Sequence, residues 1–538
     1  MLLALAALAI PAAAWATPPP DGGPAPVAAA SALSVSVADR EAESRWLAAL
    51  GLHLPDAGVV LSEPYRPPWT SRSFVVPHTW FSEAGATVAA ASLLQDLDLL
   101  REAMSRTYGG WETAQARGWN WDAWFRDWKA ALGAQGTRQV PLEKAFIPVQ
   151  RLMEFQLDNH TNIPLSPRAF FGSGSTSVVL VAAPEGPCTQ ASTASGDNFP
   201  LDVHDAGQQV HQAQAWDGTA LHKVSYLSYP QRRGRVTQLY CAGAWVKTRP
   251  VWEPAPLDIF HPSPLREAAI LALSGATRDH PFLVRLAPGV AYLRLPTFTK
   301  ENAVDIEEHL SSWAPPMAQD RILIVDLRDN GGGDAAVQAL AGWVELQRLK
   351  PAFHGTTHRS ASCLYPALRW GYTAITSRHL SPPLPPGIVE GLQEALDPLF
   401  LPSEPGCPRR TEDEKGEWDY AMHRLAPPGA VQGHRRILVL VNNGCGSDCE
   451  FMTYLLASLP ETVVAGSNTY GVAQYIQPGY AVLPHTRLAF RIALGTSDLF
   501  GDGRSVDGHG LDVDVLLDSE ASLAPASILR LADAFAPR

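Results

Sequence analysis

The first part of the chain carries apolar positions at helical spacing. Between residues 92 and 108, apolar side chains recur every three or four positions, which predicts an amphipathic helix with Ser92 as its N-cap. Segments 121–132 and 142–157 have the same period and carry aromatic side chains that are typical of helix-packing core. We therefore predict an N-terminal helical domain over residues 41–162.

Beyond this domain the pattern changes to short β-like runs separated by turn residues, such as 177–182 and 223–228. These runs predict a β-rich module over residues 163–288. From residue 289 onward, strand-like and helix-like segments alternate, which indicates an α/β domain with a mixed sheet over residues 289–520. A short helix is predicted over residues 521–538. The predicted fold class is thus α/β multidomain.

Within the α/β domain, three short apolar runs predict buried strands at residues 290–295, 322–327 and 437–441. Helical patterns predict further elements at 303–313 and 335–346. A proline-rich insertion, residues 350–434, lies between the second of these helical patterns and the predicted strand at 437–441. A connection of this length is usually a lid, a specificity element or both.

Composition and charge narrow the class of partner. Hydrophobic residues make up 46% and charged residues 18% of the 538 residues, as in an ordinary soluble globular protein. The formal net charge of −12 argues against nucleic acid or an anionic membrane as the main partner. We therefore expect that the main partner is neither a nucleic acid nor an anionic membrane.

The beginning of the chain predicts export. Residues 1–16 are apolar and end in Ala-Trp-Ala, the small-x-small pattern of a signal-peptidase site. This run is too short to span a bilayer and no other long apolar stretch follows, so no integral membrane segment is expected. Residues 17–40, rich in proline, alanine and glycine at their start, are predicted to be a disordered linker. We expect a periplasmic or extracellular location.

Export makes the six cysteines potential disulfide partners. Six cysteines allow fifteen full pairings, and sequence alone does not choose among them. Pairing within segments gives Cys188 with Cys241, Cys363 with Cys407, and Cys445 with Cys449. The alternative for the last pair is two small buried thiols at a helix start. No CxxC or HExxH motif occurs, so neither a metal nor a cofactor is predicted.

The most informative turn contains Ser447, which follows a buried-strand run and precedes a helical pattern. A helix N-terminus presents free N–H groups and a positive dipole end, which favour an oxyanion. The alternative is an ordinary capping box formed by Ser447 and Glu450. Ser447 is the candidate nucleophile only if a base takes its proton.

A base and an acid are available elsewhere. His160 lies in a polar turn after the helical segments, and Asp507 precedes a glycine in another turn. Each has a plain structural alternative when taken alone, and His509 is a weaker candidate base. The triple glycine that follows residue 330 offers Gly332 or Gly333 as an oxyanion donor beside the N–H of Asp448. Neither a phosphate-loop motif nor Gly-x-Ser-x-Gly is present.

Taken together, these segments resemble the C-terminal processing (tail-specific) serine proteases. In that family, Asp-Leu-Arg-x-Asn-x-Gly-Gly on a strand precedes a nucleophilic serine on the next strand-to-helix turn. Here residues 326–333 read Asp-Leu-Arg-Asp-Asn-Gly-Gly-Gly, and residues 463–471 are similar to the family's strand and Gly-x-x-Thr-aromatic-Gly segment. The resemblance covers residues 89–160 and 289–517.

The resemblance also indicates a branch. Val472 occupies the place of the lysine base of the bacterial tail-specific enzymes, which excludes a Ser–Lys dyad. In the branch like the core of tricorn protease, an aspartate follows the serine, and a histidine from the end of the helical domain is the base. Asp448 and His160 fit that pattern. Asp507 stands where the branch commonly has a glutamate that orients the histidine.

The family often carries a PDZ domain before the sheet. Residues 163–288 lack its glycine-rich carboxylate-binding loop, so we expect a degenerate PDZ-like module. The resemblance implies a serine endopeptidase that acts on polypeptides, without a metal or cofactor. A histidine base predicts that activity falls as the pH drops through about 6 to 7. The implied residues are Ser447, His160 and Asp507 as catalytic groups, with Asp448 and Gly333 or Gly332 as oxyanion donors.

Two alternatives stay open at this point. The retinoid-binding protein of the retina also resembles this family, so the same scaffold suits a non-catalytic ligand- or peptide-binding protein. An esterase-type hydrolase would use the same three catalytic residues and differ only in its substrate.

Overall fold

The computed structural model describes residues 87–156, 158, 160–161, 176–181, 188–201, 210–230, 236–250, 281–298, 320–333, 436–483, 485–486, 488–497, 499, 505–517, 522 and 525–535. Several predictions of the sequence lie outside these residues. They are the signal peptide, the linker, the helices at 303–313 and 335–346, the insertion 350–434 and the disulfide between Cys363 and Cys407.

Helices dominate the first described segment. Its elements are β1 (Thr87–Ala89), α1 (Ala90–Thr107), α2 (Trp111–Ala116), α3 (Trp121–Gly133), β2 (Gln139–Pro141), α4 (Leu142–Ala145) and α5 (Ile147–Gln156). The predicted cap at Ser92 is wrong. Helix α1 begins at Ala90 directly from β1, which pairs with β2, and its N-cap Ala89 has no side-chain hydrogen bond.

The later segments contain most of the strands. They are β3 (Thr176–Val181), β4 (Cys188–Thr193), β5 (Asn198–Pro200), β6 (His211–Trp216), β7 (Leu221–Pro230), β8 (Val236–Cys241), β9 (Ala244–Pro250), β10 (Phe282–Ala287), β11 (Val290–Arg294), β12 (Ile322–Asp326), β13 (Arg436–Val441), β14 (Thr462–Gly466), β15 (Tyr475–Val482), β16 (Ala489–Thr496) and β17 (Val515–Leu517). Two further helices are α6 (Asp448–Ala457) and α7 (Pro525–Ala534).

One mixed sheet contains thirteen of these strands, in the order β10-β11-β12-β13-β14-β17-β6-β7-β3-β9-β8-β4-β5. Strands β11, β12, β13, β14, β17 and β6 run parallel, and the pairs beyond them are antiparallel. Strand β6 pairs with β17, with Gln214 opposite Val515. The strands of the predicted β-rich module are therefore hydrogen-bonded into the same sheet as the α/β strands.

The predicted central strands are buried on both faces, as a parallel sheet requires. All five residues of β12 are buried. Because successive side chains alternate, Leu323 and Val325 pack in the core cluster that also contains residues of α6, whereas Ile324 packs with residues of α7. Parallel β12 and β13 bring their carboxyl ends to the same edge, which places residues 327–333 beside residues 442–447.

The helical segment packs on the hairpin formed by β15 and β16. Leu93 and Leu97 of α1 share one buried cluster with Phe490 and Ile492 of β16. The end of α1 also reaches the hairpin through its backbone, since Gly109 N–H donates to the carbonyl of Ala493 at 2.8 Å. The hairpin of β15 and β16 is thus in contact with the helical segment through both side chains and backbone.

A disulfide joins Cys188 in β4 to Cys241 in β8, which confirms that predicted pair. Within the part of the chain that is described, no helix has both the length and the apolar character needed to cross a bilayer.

Candidate active site

Ser447 stands between β13 and α6 in a strained backbone conformation. Its φ is 56° and its ψ is −121°, a region that residues with a side chain rarely adopt. The residue is half-buried, and its N–H donates to Oε2 of Glu450 at 3.1 Å. An ordinary N-cap residue is in the β region. The turn therefore has the sharp strand-to-helix geometry that exposes a nucleophile at the edge of a sheet.

A disulfide between Cys445 and Cys449 encloses this turn. Both cysteines are buried in the core cluster beneath it. The predicted pair is confirmed. Because the two half-cystines lie two residues before and two residues after Ser447, the bond restrains the turn from both sides.

The glycine motif lies against the serine turn. Gly332 has a φ of +88°, and a Cβ on it would lie 2.8 Å from Cβ of Ser447 and 2.9 Å from the backbone nitrogen of Asp448. Only glycine fits this approach. The N–H of Gly332 donates to Oδ1 of Asn330 at 2.9 Å. The neighbouring Gly333 forms a parallel bridge with Phe298, and no described residue accepts a hydrogen bond from its N–H.

The first residues of the same motif fix the end of β12. Asp326 is buried and accepts two hydrogen bonds from the Arg328 guanidinium, at 2.9 and 2.6 Å, and one from the Tyr292 hydroxyl at 2.6 Å. The charges of Arg328 and Arg294 hold the pKa of Asp326 well below its usual range against the effect of burial. Asp326 and its partners therefore form a network of ion pairs and hydrogen bonds at the end of β12.

Asp329 connects this strand end to the next one. Its N–H donates to Oδ1 of Asn442 at 2.9 Å, and Asn442 Nδ2 donates to Oδ1 of Asp329 at 3.0 Å. Burial raises the pKa of Asp329 to about 7. The reciprocal pair holds the two loops in a fixed relation at the carboxyl edge of the sheet.

Glu450 has a larger role than the cap that the sequence indicates. Its buried carboxyl group accepts the N–H of Ser447 and three further donors: the Thr469 hydroxyl at 2.6 Å, and the N–H groups of Gly471 and Val472 at 2.8 Å each. Burial raises the pKa of Glu450 to about 7, and these hydrogen bonds oppose the rise. The side chain therefore holds segment 469–472 against the serine turn.

Asp507 is fully buried in the turn that precedes β17. Its Oδ1 accepts the N–H of Gln474 at 2.8 Å, whereas Oδ2 is buried and has no hydrogen-bond partner among the described residues. Burial raises the pKa of Asp507 well above its usual range, and the nearby carboxyl groups of Glu450 and Asp158 raise it further. Asp507 is therefore close to the residue that holds the serine turn.

His160 lies at the end of the helical segment. Its backbone N–H donates to Oδ1 of Asp158 at 2.6 Å, and the N–H of Thr161 donates to the same oxygen at 3.1 Å. Nδ1 of His160 is buried without a hydrogen-bond partner in the described part of the chain. Burial and the nearby charge of Arg491 lower the pKa of His160 to about 3, so the imidazole is neutral at pH 7.

Two buried tyrosines connect the segments that carry His160 and Asp507. The rings of Tyr108, after α1, and Tyr475, at the start of β15, stack at 6.2 Å. Burial and the charge of Asp158 raise the pKa of both tyrosines. The charge of Asp507 also raises the pKa of both tyrosines, and Asp158 raises the pKa of Asp507, so these four buried side chains lie close enough to act on one another.

Some of the candidate groups are related to one another through intermediate residues. Ser447 contacts Glu450 directly, Glu450 and Asp158 act on the pKa of Asp507, and Asp158 holds the backbone of His160. Among the described residues, His160 and Asp507 form no hydrogen bond with each other. The sequence pattern indicated no separate role for Asp158, although an aspartate in a turn commonly accepts the backbone N–H two residues further on.

Other candidates are placed less favourably. Val472 is buried, and its N–H is bound to Glu450 at the position where a lysine base would stand. His509 is half-buried in the same turn as Asp507, and its carbonyl accepts a hydrogen bond from Nδ2 of Asn468 at 3.2 Å. In the described part of the chain, no group of three or more potential ligands is placed to hold a metal ion.

Several solved structures are similar to this chain. The crystal structure of mature CPAF is 12% identical, with a TM-score of 0.41, and the match covers 82% of this chain and 96% of that one. The photosystem II D1 C-terminal processing protease is 13% identical, with a TM-score of 0.35 and coverage of 84% and 98%. Tricorn protease is 11% identical, with a TM-score of 0.34 and coverage of 83% and 36%.

No curated protein matches the chain. The model of peptidase family S41 matches residues 289–517, the range that contains the glycine motif, the serine turn and Asp507. This match indicates that the protein is a serine-type peptidase.

Proposed function

We propose that the protein is an exported serine endopeptidase in which Ser447 is the nucleophile. The observation that carries this proposal is the backbone of Ser447, with a φ of 56° and a ψ of −121° at the entry to α6. Such a conformation costs about 1–3 kcal/mol in a residue with a side chain, and strain of this kind concentrates at functional sites. A serine that only capped the helix would have no need of it.

His160 is the general base. It takes the hydroxyl proton of Ser447 as the serine oxygen attacks the peptide carbonyl carbon, and it gives that proton to the amine that leaves. Water then attacks the acyl-enzyme through the same imidazole, which releases the acid product and restores Ser447. At pH 7 the His160 imidazole is neutral, which is the state that accepts a proton.

Asp507 orients His160 and stabilises its positive charge. The support is that Nδ1 of His160 and Oδ2 of Asp507 are both buried and lack partners among the described residues, while Asp158 lies near both. Burial opposes the ionisation of Asp507 in the resting enzyme. An imidazolium beside it would offset that cost, so the pairing is strongest when the proton has moved to His160.

The oxyanion of the tetrahedral intermediate is bound by the N–H groups of Asp448 and Gly333. Asp448 is the first residue of α6, where the helix dipole also favours negative charge. Gly333 follows the glycine that packs against the serine turn. Gly332 is the weaker candidate for the second oxyanion donor, because its N–H already donates to Oδ1 of Asn330.

The substrate is polypeptide and the enzyme works outside the cytoplasm. Two disulfides among the described cysteines support an oxidising compartment, where such bonds form and persist. The apolar segment at residues 1–16 supports the same location.

The test is labelling of the purified protein with a fluorophosphonate probe, followed by hydrolysis assays with an unfolded protein. Ser447→Ala, His160→Ala and Asp507→Asn are compared with the wild type. Ser458→Ala and His485→Ala are matched controls, since both residues are exposed and Ser458 lies at the other end of α6. We expect labelling and hydrolysis to be lost in the first two variants, reduced in the third and unchanged in the controls.

Other outcomes point to different conclusions. Labelling that persists in Ser447→Ala would exclude Ser447 as the nucleophile. A folded wild type that neither labels nor hydrolyses protein would favour the non-catalytic binding alternative. Labelling together with hydrolysis of a nitrophenyl ester, but of no polypeptide, would indicate an esterase-type hydrolase.

A further inference from the structure

We propose that Asn330 is a positioning residue of the oxyanion site. Its carboxamide binds the N–H of Gly332 and thereby leaves the N–H of Gly333 as the donor that faces the reacting carbonyl oxygen. This inference rests on the proposed role of Ser447 as the nucleophile.

Asn330 has no exposed surface, and both ends of its carboxamide are used. Oδ1 accepts the N–H of Gly332 at 2.9 Å, and Nδ2 donates to the carbonyl of Leu295 at 3.0 Å. Leu295 follows β11, so the side chain connects the neighbouring strand to the glycine loop. The site demands a donor and an acceptor at once, which an asparagine supplies without charge.

The backbone of Asn330 holds the other half of the site. Its carbonyl accepts the N–H of Gly446 at 3.0 Å, immediately before Ser447. Its own N–H donates to the carbonyl of Leu327 at 3.1 Å, which closes a turn at the end of β12. One residue therefore fixes the glycine loop by its side chain and the serine turn by its main chain.

The contacts of Gly332 separate its role from that of Gly333. Its carbonyl accepts the N–H of Phe298 at 3.0 Å, so both backbone polar groups of Gly332 are bound. Its Cα faces the serine turn at a distance that excludes a side chain. Gly332 acts as the close-contact spacer. Gly333 is the next N–H along the chain, and no described residue accepts a hydrogen bond from it.

An oxyanion donor must be aimed before the reaction begins, because its benefit depends on costing no reorganisation in the transition state. Without the carboxamide of Asn330, the Gly332 N–H would lose its buried acceptor and the three-glycine loop would lose its anchor. The effect should appear in transition-state binding and not in ground-state binding.

The first test compares Asn330→Ala with the wild type in three measurements: kcat, KM, and the inhibition constant of a peptidyl trifluoromethyl ketone. This inhibitor forms a tetrahedral adduct with an activated serine and places an oxyanion in the hole. We expect kcat to fall by about 10- to 100-fold, somewhat less than for loss of a whole donor. The inhibition constant should rise by a similar factor, with KM unchanged within about twofold.

Ser527→Ala is the matched control for general destabilisation. The Ser527 hydroxyl is buried and accepts a hydrogen bond from Nε1 of Trp216 at 2.7 Å, between α7 and β6. It should lose thermal stability without the change in inhibitor binding. The inference is overturned if Asn330→Ala changes kcat no more than this control does, or if kcat and KM change together while the inhibition constant does not.

Asn330→Asp provides a second test that does not depend on the stability of the alanine variant. A protonated aspartic acid reproduces both hydrogen bonds, whereas an ionised one places an oxygen against the carbonyl of Leu295. The ratio of kcat in this variant to kcat in the wild type should therefore fall as the pH rises. A ratio that does not vary with pH would contradict the positioning role.

Ser447→Ala separates this inference from the proposed function. If Ser447→Ala still hydrolyses peptide, the proposed nucleophile is wrong and the inference falls with it. If Ser447→Ala is inactive while both Asn330 variants behave like the control, only the role of Asn330 is wrong.

Discussion

The turn that carries Ser447 and the turn that carries His160, the proposed nucleophile and base, differ in how completely their polar groups are bonded. Around Ser447, Glu450 accepts four hydrogen bonds, a disulfide spans the turn, and Gly332 packs against it from the neighbouring loop. Around His160, the backbone is held by Asp158, but Nδ1 of the imidazole has no partner among the described residues.

This difference corresponds to the different tasks that the two turns have in the proposed reaction. The serine turn and its N–H groups must keep one geometry from substrate binding to product release, so they are fixed by many contacts. In the proposed reaction the imidazole must change its charge. Buried polar atoms that find a partner only when the imidazole is charged would favour that change. The comparison predicts that substitutions at the serine turn change the rate, while those around His160 move the pH dependence.

The largest effect is expected at Ser447 itself. Ser447→Ala and Ser447→Gly should each lower kcat by about 10⁴-fold or more, because the nucleophile is lost. Their stabilities should differ, since glycine adopts a φ of 56° without strain and alanine does not. We expect the glycine variant to be more stable than the alanine variant by about 1 kcal/mol in urea unfolding. Equal stabilities would contradict the strained turn.

Glu450→Gln should affect rate and stability together. The amide nitrogen of glutamine would face backbone donors where the carboxylate accepts them, which costs about 2–3 kcal/mol. Because the pKa of Glu450 is raised from 4.5 to about 7, its contribution to stability is full below pH 4.5 and is lost as the pH rises to 7.

The measurement for Glu450 is the free energy of unfolding of both proteins between pH 4 and pH 8. The wild type should lose up to about 3 kcal/mol relative to Glu450→Gln across that range. A constant difference would show that the pKa of Glu450 does not change on folding.

Removal of the two described disulfides should affect stability and kcat differently. Removing Cys188–Cys241 by alanine substitutions opens a longer loop and should cost about 4 kcal/mol, with little change in kcat. Removing Cys445–Cys449 should cost only about 2 kcal/mol because its loop is short. It should nevertheless lower kcat roughly tenfold, since the oxyanion turn loses a restraint. Equal kcat values in the two double variants would contradict this role.

The smallest effect concerns the acid side of the pH–rate profile. The sequence predicts that activity falls between about pH 6 and pH 7, as for an ordinary imidazole. In the structure the pKa of His160 is lowered to about 3, so we expect kcat/KM to stay level down to about pH 4 and to decline only as the pH approaches 3. The same shift means that His160 contributes stability above pH 6.5 that is lost as the pH falls toward 3.

Arg491 offers a direct test of this explanation, because its charge lowers the pKa of His160. Arg491→Met should move the acid limb of kcat/KM to higher pH, whereas Arg491→Lys should leave it nearly in place. An identical acid limb in both variants would mean that another group controls the profile.

The sequence alone determined much of the local structure. Apolar runs identified β12 and β13, because strands buried on both faces consist mainly of apolar residues. Turn chemistry around Ser447 identified the strand-to-helix turn, whereas the disulfide between Cys445 and Cys449 was only one of two alternatives until the structure confirmed it. Ser92 shows the limit of such local reasoning, since pairing of β1 with β2 moved the helix start and removed the need for its cap.

The contacts between segments that are distant in the chain became visible only in the folded protein. The pairing of β6 with β17 depends on a hydrogen-bonded edge that no sequence pattern displays. Capping spacing indicated Glu450, but its other donors lie 19 to 22 residues away in the chain and meet it only through the fold. The roles of Asn330 and Asp158 likewise follow from burial and from the few ångströms that separate their oxygens from backbone N–H groups. Residue types and spacing define which chemistry is available, whereas packing decides which donors meet which acceptors and what each pKa becomes.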